Sequence, residues 1–316
     1  MGNPKCSDAE FIALWHSGGA LAICAKHGVD EHNVYKRRRR LEKKLGVPLA
    51  APTRAITARV YPHRQTIAVN NGTVIVGSDF HIWPGKESTA LRAFKKFCGD
   101  LDDLQAIILN GDVFDFPKIS RHPPMGWETA PGPQEEIEAV QDHLNDIAKA
   151  PRKRRVRKIH TLGNHDARFE TRLATVASEY KGIKGIHLSD HLPLWEKGWS
   201  CFVNDDVVIK HRFPKGGQHA TSNNPLWSGR TTVQGHLHNQ QVRPMTDYNG
   251  TRYGVDCGCV ADTDHKAFTD YTEDAALNWR SGFAILTFKD GELLPPELVT
   301  KWRDDVVTFR GQLIRV

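Results

Sequence analysis

Cysteine is scarce and badly placed for cross-linking: Cys6, Cys24, Cys98, Cys201, Cys257 and Cys259 are scattered without a disulfide-framework spacing. That excludes a small secreted scaffold held by bridges, and the thiols are expected to be reduced. The one close pair is Cys257-Gly258-Cys259. Residues i and i+2 of a strand face the same way, so a redox or metal pair competes with two small thiols in a buried strand, the reading preferred here. No apolar run approaches the ~20 residues that span a bilayer. The segment from Met1 to Asp8 lacks the apolar core of a signal peptide. A cytoplasmic protein with no membrane partner is expected. Neither an internal repeat nor a low-complexity tract is present. What remains is ordinary globular composition, 39% hydrophobic and 25% charged over 316 residues, enough for one large domain and a small appendage.

The net charge of +6 is unevenly spread: residues 1–65 carry a net +7 and the rest a net −1. All the excess positive charge therefore sits in the front fifth of the chain, which points to an acidic partner there. Ser7 or Asp8 caps an expected helix running to about His16, stopped by Gly18-Gly19. A second runs from Ala20 to His27 and stops at Gly28; a third follows Asp30 and continues through Arg40 to about Leu45. Ile23, Val29 and Val34 supply apolar packing around the turn, with small Cys24 four residues before its glycine. The segment resembles the helix-turn-helix domains of transcription factors, transposases and phage packaging proteins. Its last helix carries Lys36, Arg37, Arg38, Arg39 and Arg40, then Lys43 and Lys44. Five consecutive cations surround a helix, so some face solvent whatever the function. Together with the charge asymmetry they favour phosphate contact on DNA. We assign residues 1–46 to this basic, DNA-binding helical domain, 47–60, with Pro48 and Pro52, to a linker, and 61–316 to a second domain.

That second domain begins with Ile67-Ala68-Val69, Asn70-Asn71-Gly72 and Thr73-Val74-Ile75-Val76, which reads as a hairpin. Apolar runs then recur at Val74–Val76, Ala106–Leu109, Ile159–Leu162, Val207–Ile209 and Thr232–Val233. Helical stretches lie near Glu87–Phe97, Gln134–Lys149 and Phe169–Tyr180, and further strands near Phe283–Phe288 and Val306–Arg310. The alternation predicts a layered α/β domain, in which ligand sites collect where strands end. Five strand ends deliver polar clusters: Ser78-Asp79-Phe80-His81, Asn110-Gly111-Asp112-Val113-Phe114-Asp115, Gly163-Asn164-His165-Asp166, Ile209-Lys210-His211 and Gly235-His236-Leu237-His238. Any one is a weak signal; five in this order are not.

The series D-x-H, G-D-x-x-D, G-N-H-D, H and G-H-x-H resembles the calcineurin-like metallophosphoesterases over nearly all of residues 73–240. The tail, with Asp256-Cys257-Gly258-Cys259, Tyr271 and Asn278-Trp279-Arg280-Ser281-Gly282-Phe283, looks like a branch common in phage genomes, which would make the compartment a host cytoplasm. One departure is that His211 precedes Arg212 where the family often has glycine. The resemblance implies a layered β-sandwich flanked by helices, with the helix-turn-helix domain added in front. It implies Asp112 as the carboxylate shared by two divalent cations, with Asp79, His81 and His238 completing one site and Asn164, His211 and His236 the other. Carboxylate and imidazole donors suit manganese first, with iron, zinc, nickel and magnesium as alternatives, and two such ions about 3.5–4 Å apart activate a water for in-line attack on phosphorus. His165 is matched to the family's catalytic, non-ligand histidine, with Asp166 expected to orient its ring. Asp115 either supports the site or caps its loop. Arg121, Arg168 and Arg212 beside the motifs either contact substrate phosphate or form structural salt bridges; His122, His160, His187, His191, His219 and His265 are given no role. The expected activity is phosphoester hydrolysis, with DNA as substrate because of the fused basic domain. The alternative is a phosphatase or small-molecule phosphodiesterase whose front domain serves localisation only. A DNA-binding regulator with a dead metal domain is disfavoured by the intact ligand set.

Overall fold

A computed structural model describes residues 6–49, 61–85, 87–121, 129–153, 155–264, 272, 275 and 277–316. Tyr271, His122, His265 and most of the 47–60 segment lie outside them. The chain divides into two compact units, residues 1–60 and 61–316.

In the first unit, α1 (Asp8–His27) is capped by Ser7, whose hydroxyl accepts the Glu10 N–H at 3.1 Å, and is broken at Gly19, where φ is 68° and ψ −156°. The expected stop at Gly18-Gly19 is thus a kink between two helical halves. α2 (Glu31–Leu45) starts at Asp30, which accepts the Asn33 N–H at 3.0 Å. Gly28 and Gly46 close the two helices in the left-handed region, at φ 58° and 71°, where glycine carries no Cβ penalty. Phe11, Trp15, Ala20, Ile23, Val34, Leu41 and Leu49 form the core. Leu49 corrects the linker boundary: it is buried, and its N–H donates to Glu42 at 2.9 Å.

The second unit stacks two sheets. The larger takes β2 (Gly72–Gly77), β3 (Leu104–Leu109), β4 (Arg157–Thr161), β5 (Glu196–Gly198), β11 (Gly282–Lys289), β12 (Glu292–Leu293), β13 (Glu297–Arg303), β14 (Val306–Phe309) and β15 (Gln312–Arg315). Its order is β15-β14-β13-β11-β2-β3-β4-β5, with β12 beside β11. The smaller takes β1 (Gln65–Ile67), β6 (Cys201–Val203), β7 (Val207–Ile209), β8 (Thr231–Gln234), β9 (Gln241–Asp247) and β10 (Gly250–Asp256), in the order β1-β6-β7-β8-β10-β9. β2 through β5 run parallel, as do β7, β8 and β10.

Alternation along the strands sorts the side chains. Val74, Val76, Ala106, Ile108, Val207, Ile209, Val233 and Val255 fill the space between the sheets. Ile75, Ile107 and Leu109 face away, toward α3 (Thr89–Asp100) and α4 (Pro133–Lys149), where Phe94, Phe97, Val140 and Leu144 are buried. The remaining helices are α5 (Asp166–Val176), α6 (Leu188–His191) and α7 (Ala220–Ser228).

Two expectations are corrected. Ile67–Val69 and Thr73–Val76 do not form a hairpin: β1 pairs parallel with β6, and β2 lies between β11 and β3 in the other sheet. Ile67, Val69, Val74 and Val76 all enter the inter-sheet core, so the chain crosses from one sheet to the other at Asn70-Asn71. The Val69 backbone is satisfied by Asn204, whose carboxamide accepts from its N–H at 2.7 Å and donates to its C=O at 2.6 Å. Cys257 and Cys259 do not share a strand face, because β10 ends at Asp256 and Gly258 takes φ 74°. Both thiols are free and buried, and burial holds them well above their usual pKa.

Candidate metal centre and active site

The polar clusters lie just past the ends of β2, β3, β4, β7 and β8. Turning so sharply off a strand forces unusual backbone: Asp79, His81, Asp112, His236 and His238 take φ of 54°, 40°, 49°, 70° and 55°. Each non-glycine residue held there costs about 1–3 kcal/mol and persists only if its surroundings over-determine it. The surroundings do. Asp79 N–H donates to Gly111 O at 3.0 Å, His81 N–H to Asp112 O at 3.1 Å, Gly235 N–H to His211 O at 3.0 Å and His236 N–H to the Asp79 carboxylate at 2.8 Å. The glycines opening G-N-H-D and G-H-x-H are required by close approach: a Cβ on Gly163 would collide with Asp112, and one on Gly235 with Ser78 and Asp79.

The structure gathers Asp79, His81 and His238 with their ligand atoms within 4.8 Å of one another, and Asp112, His211 and His236 likewise. His238 Nε2 is 3.0 Å from Asp79 Oδ1, and His211 Nε2 is 3.0 Å from Asp112 Oδ2. His211 Nδ1 donates to the Asn110 carbonyl at 2.9 Å, which turns Nε2 inward as the ligating nitrogen, an arrangement typical of metal-bound imidazole. Asn164 Oδ1 is buried with no hydrogen-bond partner among the described residues, a costly state for an amide oxygen unless a cation faces it. Mixed carboxylate, imidazole and amide donors fit first-row divalent ions, so the residues present suit a metal pair.

Electrostatics agree. Burial opposes charge on Asp79 and Asp112, yet facing imidazoles (His238 and His211 at Asp79, His211 and His165 at Asp112) hold both carboxylates below their ordinary range. Burial opposes charge on His81 and His211 too, but the Asp115 and Asp79 carboxylates raise His81 to about 10, and Asp112 and Asp79 raise His211 to about 9. Without cations, protons on these rings balance the buried acids. Metal uptake must displace them. His236 is shifted down by burial and by His211, which favours the neutral, ligating ring.

His165 presents its Nδ1 to Asp115 Oδ1 at 2.7 Å, and its N–H donates to Asp112 Oδ1 at 2.8 Å. Asp115, not Asp166, orients the ring. Asp166 is fully used elsewhere: its buried carboxylate accepts from the N–H groups of Asp112, Val113, Phe114 and Gly163 at 2.8–3.2 Å and lies 2.9 Å from His160 Nε2. It ties the β3 loop to the β4 loop. Asp115 also reaches His81 Nδ1 at 3.4 Å, so it supports one ligand as well as the catalytic candidate. Of the three arginines, Arg168 adjoins the site, donating to Asp115 O at 2.7 Å with its other Nη 3.1 Å from His165 Nε2. Arg212 and Arg121 are exposed.

Sequence reasoning missed several supports. Glu136 is buried and accepts the N–H groups of Asp115 and Phe116, and burial raises it to about 8. His160, set aside as ordinary, partners Asp166. Ser78 Oγ lies 2.6 Å from both Asp79 Oδ2 and Asn110 O and donates its single proton to one of them. Trp279 sets its indole edge-on to the His238 ring at 4.7 Å. Only Trp279 had a local cue, within the tail motif; the others follow from contacts no spacing reveals.

Residues 72–261 match the family described as "Calcineurin-like phosphoesterase". The chain belongs to that family, and it is a metal-dependent phosphoester hydrolase. Within the family it falls in a phage-type branch: it is 26% identical over 254 residues to the "Gene 54 protein" of Mycobacterium phage L5 and to that of Mycobacterium phage D29, covering 72% of this chain and 92% of each. Among solved structures, "Wild type Vps29 complexed with Zn+2" from Entamoeba histolytica is similar at 16% identity and a TM-score of 0.37, covering 77% of this chain and 98% of that one.

Proposed function

We propose that this hydrolase is a DNA phosphodiesterase carried to its substrate by the basic helical unit, acting in a host cytoplasm. The observation that carries the reading is the distribution of cations on α2. Arg37 is spent internally, donating to Cys6 O at 2.8 Å and to Asp8 at 2.9 Å, and Arg38 pairs with Glu42 at 2.9 Å. Lys36, Arg39, Arg40 and Lys43 are exposed and, at i, i+3, i+4 and i+7, form one face, opposite buried Val34 and Leu41. The DNA-contact set is accordingly revised to that stripe. Gly28-Val29-Asp30 joins the second half of α1 to α2 in the manner of a helix-turn-helix, and each stripe cation that meets a phosphate releases counterions.

In the catalytic unit, Asp79, His81 and His238 would hold one divalent ion and Asn164, His211 and His236 the other, with Asp112, which clusters with His211 and His236, as the carboxylate that the family resemblance gives to both and manganese the first choice. Such ions polarise phosphoryl oxygens and acidify water. The chain's own residues do the rest. Asp115 fixes His165 through Nδ1, which leaves Nε2 facing Arg168; a phosphate or leaving oxygen would replace that contact to meet Nε2. Arg168 converges on the same position and would neutralise a phosphate oxygen there. Asp166 and Glu136 hold the loops so that none of these groups must reorganise on binding.

The test supplies Mn²⁺ to the full chain with linear, nicked and single-stranded DNA and with bis(p-nitrophenyl) phosphate. DNA strand cleavage is expected. Turnover of the small ester with no DNA strand cut would hand the function to the phosphatase or small-diesterase alternative.

A further inference from the structure

Away from the metal clusters, the smaller sheet carries a second concavity of about 440 Å³, within the ~300–1,000 Å³ usual for ligand sites. Phe202 and Val208 are register partners on β6 and β7 and line it, whereas their neighbours Cys201, Val203, Val207 and Ile209 point into the inter-sheet core. By strand alternation the groove lies on the sheet's outer face. Its other wall comes from the end of α7 and the residues after it.

The groove combines two chemistries. Arg64, Lys210 and Arg230 line it, no carboxylate does, and none of the three forms an ion pair with a described residue. Aromatic rings lie among them: Phe202, Phe213 and Trp227, the last 59% exposed. The Arg64 guanidinium sits over the Phe202 ring at 3.7 Å and that of Arg230 at 5.9 Å. A guanidinium stacked on one ring keeps its opposite planar face for a second π-system and its N–H edge for an anion. Bases with attached phosphates present that pair of features, and they offer base faces for stacking when unpaired. An acidic peptide would answer the cations but leave the exposed indole in water. The groove also adjoins the chemistry along the chain, since Lys210 precedes His211 and Phe213 follows two residues later.

We propose that this groove binds a single strand of nucleic acid, stacking a base against Arg64 or Trp227 and holding phosphates with Arg64, Lys210 and Arg230. The proposal rests on the DNA phosphodiesterase reading and adds which strand form is engaged and where.

The experiment uses the full Mn²⁺-loaded chain, an oligo-dT 12-mer and bis(p-nitrophenyl) phosphate. The double variant Arg64→Ala/Arg230→Ala should raise KM for the oligonucleotide at least tenfold and flatten its salt dependence by about 1.4 in log–log slope, with small-diester turnover within twofold of wild type. Trp227→Ala, at an exposed position, should raise KM roughly five- to tenfold by loss of stacking. A photoreactive 5-iododeoxyuridine oligonucleotide should cross-link wild type at Trp227 or Phe213. Oligonucleotide cleavage with KM unchanged in both variants, or cross-links confined to other residues, overturns the groove and leaves the nuclease reading standing. Wild type that turns over the small diester but cuts no oligonucleotide overturns the nuclease reading, and the groove falls with it.

Discussion

The catalytic unit and the helical unit treat charge in opposite ways. In the first, Asp79, Asp112, Asp166 and His211 are almost wholly buried and balanced against one another; in the second, the cations left over from internal contacts face water on one side of α2. Buried charge must be compensated by geometry, so its function depends on positions fixed to fractions of an ångström. Exposed charge works at a distance through counterions, so its function depends on number and side, not on precise placement. Substitutions should therefore act almost all-or-none in one unit and incrementally in the other.

The largest effect is expected at the shared carboxylate. Asp112→Asn should cost at least ~10³-fold in turnover of bis(p-nitrophenyl) phosphate, a loss of a charge-neutralising group in a dry site, and should lower bound manganese measured by elemental analysis. Near-normal metal content with near-normal turnover would break the contrast at its strongest point. His165→Ala comes next: kcat should fall by about 10²–10⁴-fold while both ions stay bound. Asp115→Asn should cost about 10–100-fold, as for other carboxylates supporting a ligand or catalytic ring; an equal loss in Asp166→Asn accompanied by a lower melting temperature would mark that residue as structural.

A pH test sharpens the same contrast. In metal-free protein the His81 and His211 pKa values, raised to about 10 and about 9, contribute stability fully present below ~6.5 and lost as pH rises through 9–10. The depressed carboxylates contribute stability present above ~4 and lost in acid. The metal-free melting temperature should thus decline on the alkaline side by several degrees, at roughly 2–4 °C per kcal/mol for a domain of this size. Manganese should flatten that decline, because the ions take over the protons' role. An alkaline decline of equal size with metal present would refute the assignment.

The smallest and most graded effect belongs to the stripe. Lys36→Ala/Arg39→Ala/Arg40→Ala should reduce the salt slope of duplex DNA binding by about 2.7 and leave small-diester turnover unchanged. Arg37→Ala should instead lower the stability of the helical unit through its lost hydrogen bonds to Cys6 and Asp8, read by denaturation, with little change in that slope.

The legibility of the two units differs for the same reason. The clustered Asp and His residues announced themselves because strand ends in a parallel sheet converge, so a short polar motif after each apolar run already implies a common site. The start of α1, the turn after it and the start of α2 were legible from Ser7, Gly28 and Asp30, whose side chains or freedom at positive φ act within a few residues. What was misread depended on partners far along the chain. Asp166 adjoins His165 in sequence, yet its carboxylate is claimed by four amides and His160. Ile67–Val69 alternates like half of a hairpin, yet the alternation fills the space between two sheets.

By its order of motifs the sequence alone determined the family and, through that resemblance, the reaction class, because residue types at fixed short spacings are read directly from the chain. Only the tertiary structure decided which acid steers His165, which cations of α2 remain available, and that the outer face of the smaller sheet carries an aromatic-lined groove. Those outcomes turn on which of several chemically equivalent groups comes within 3 Å of a partner, and that is a property of packing between distant segments.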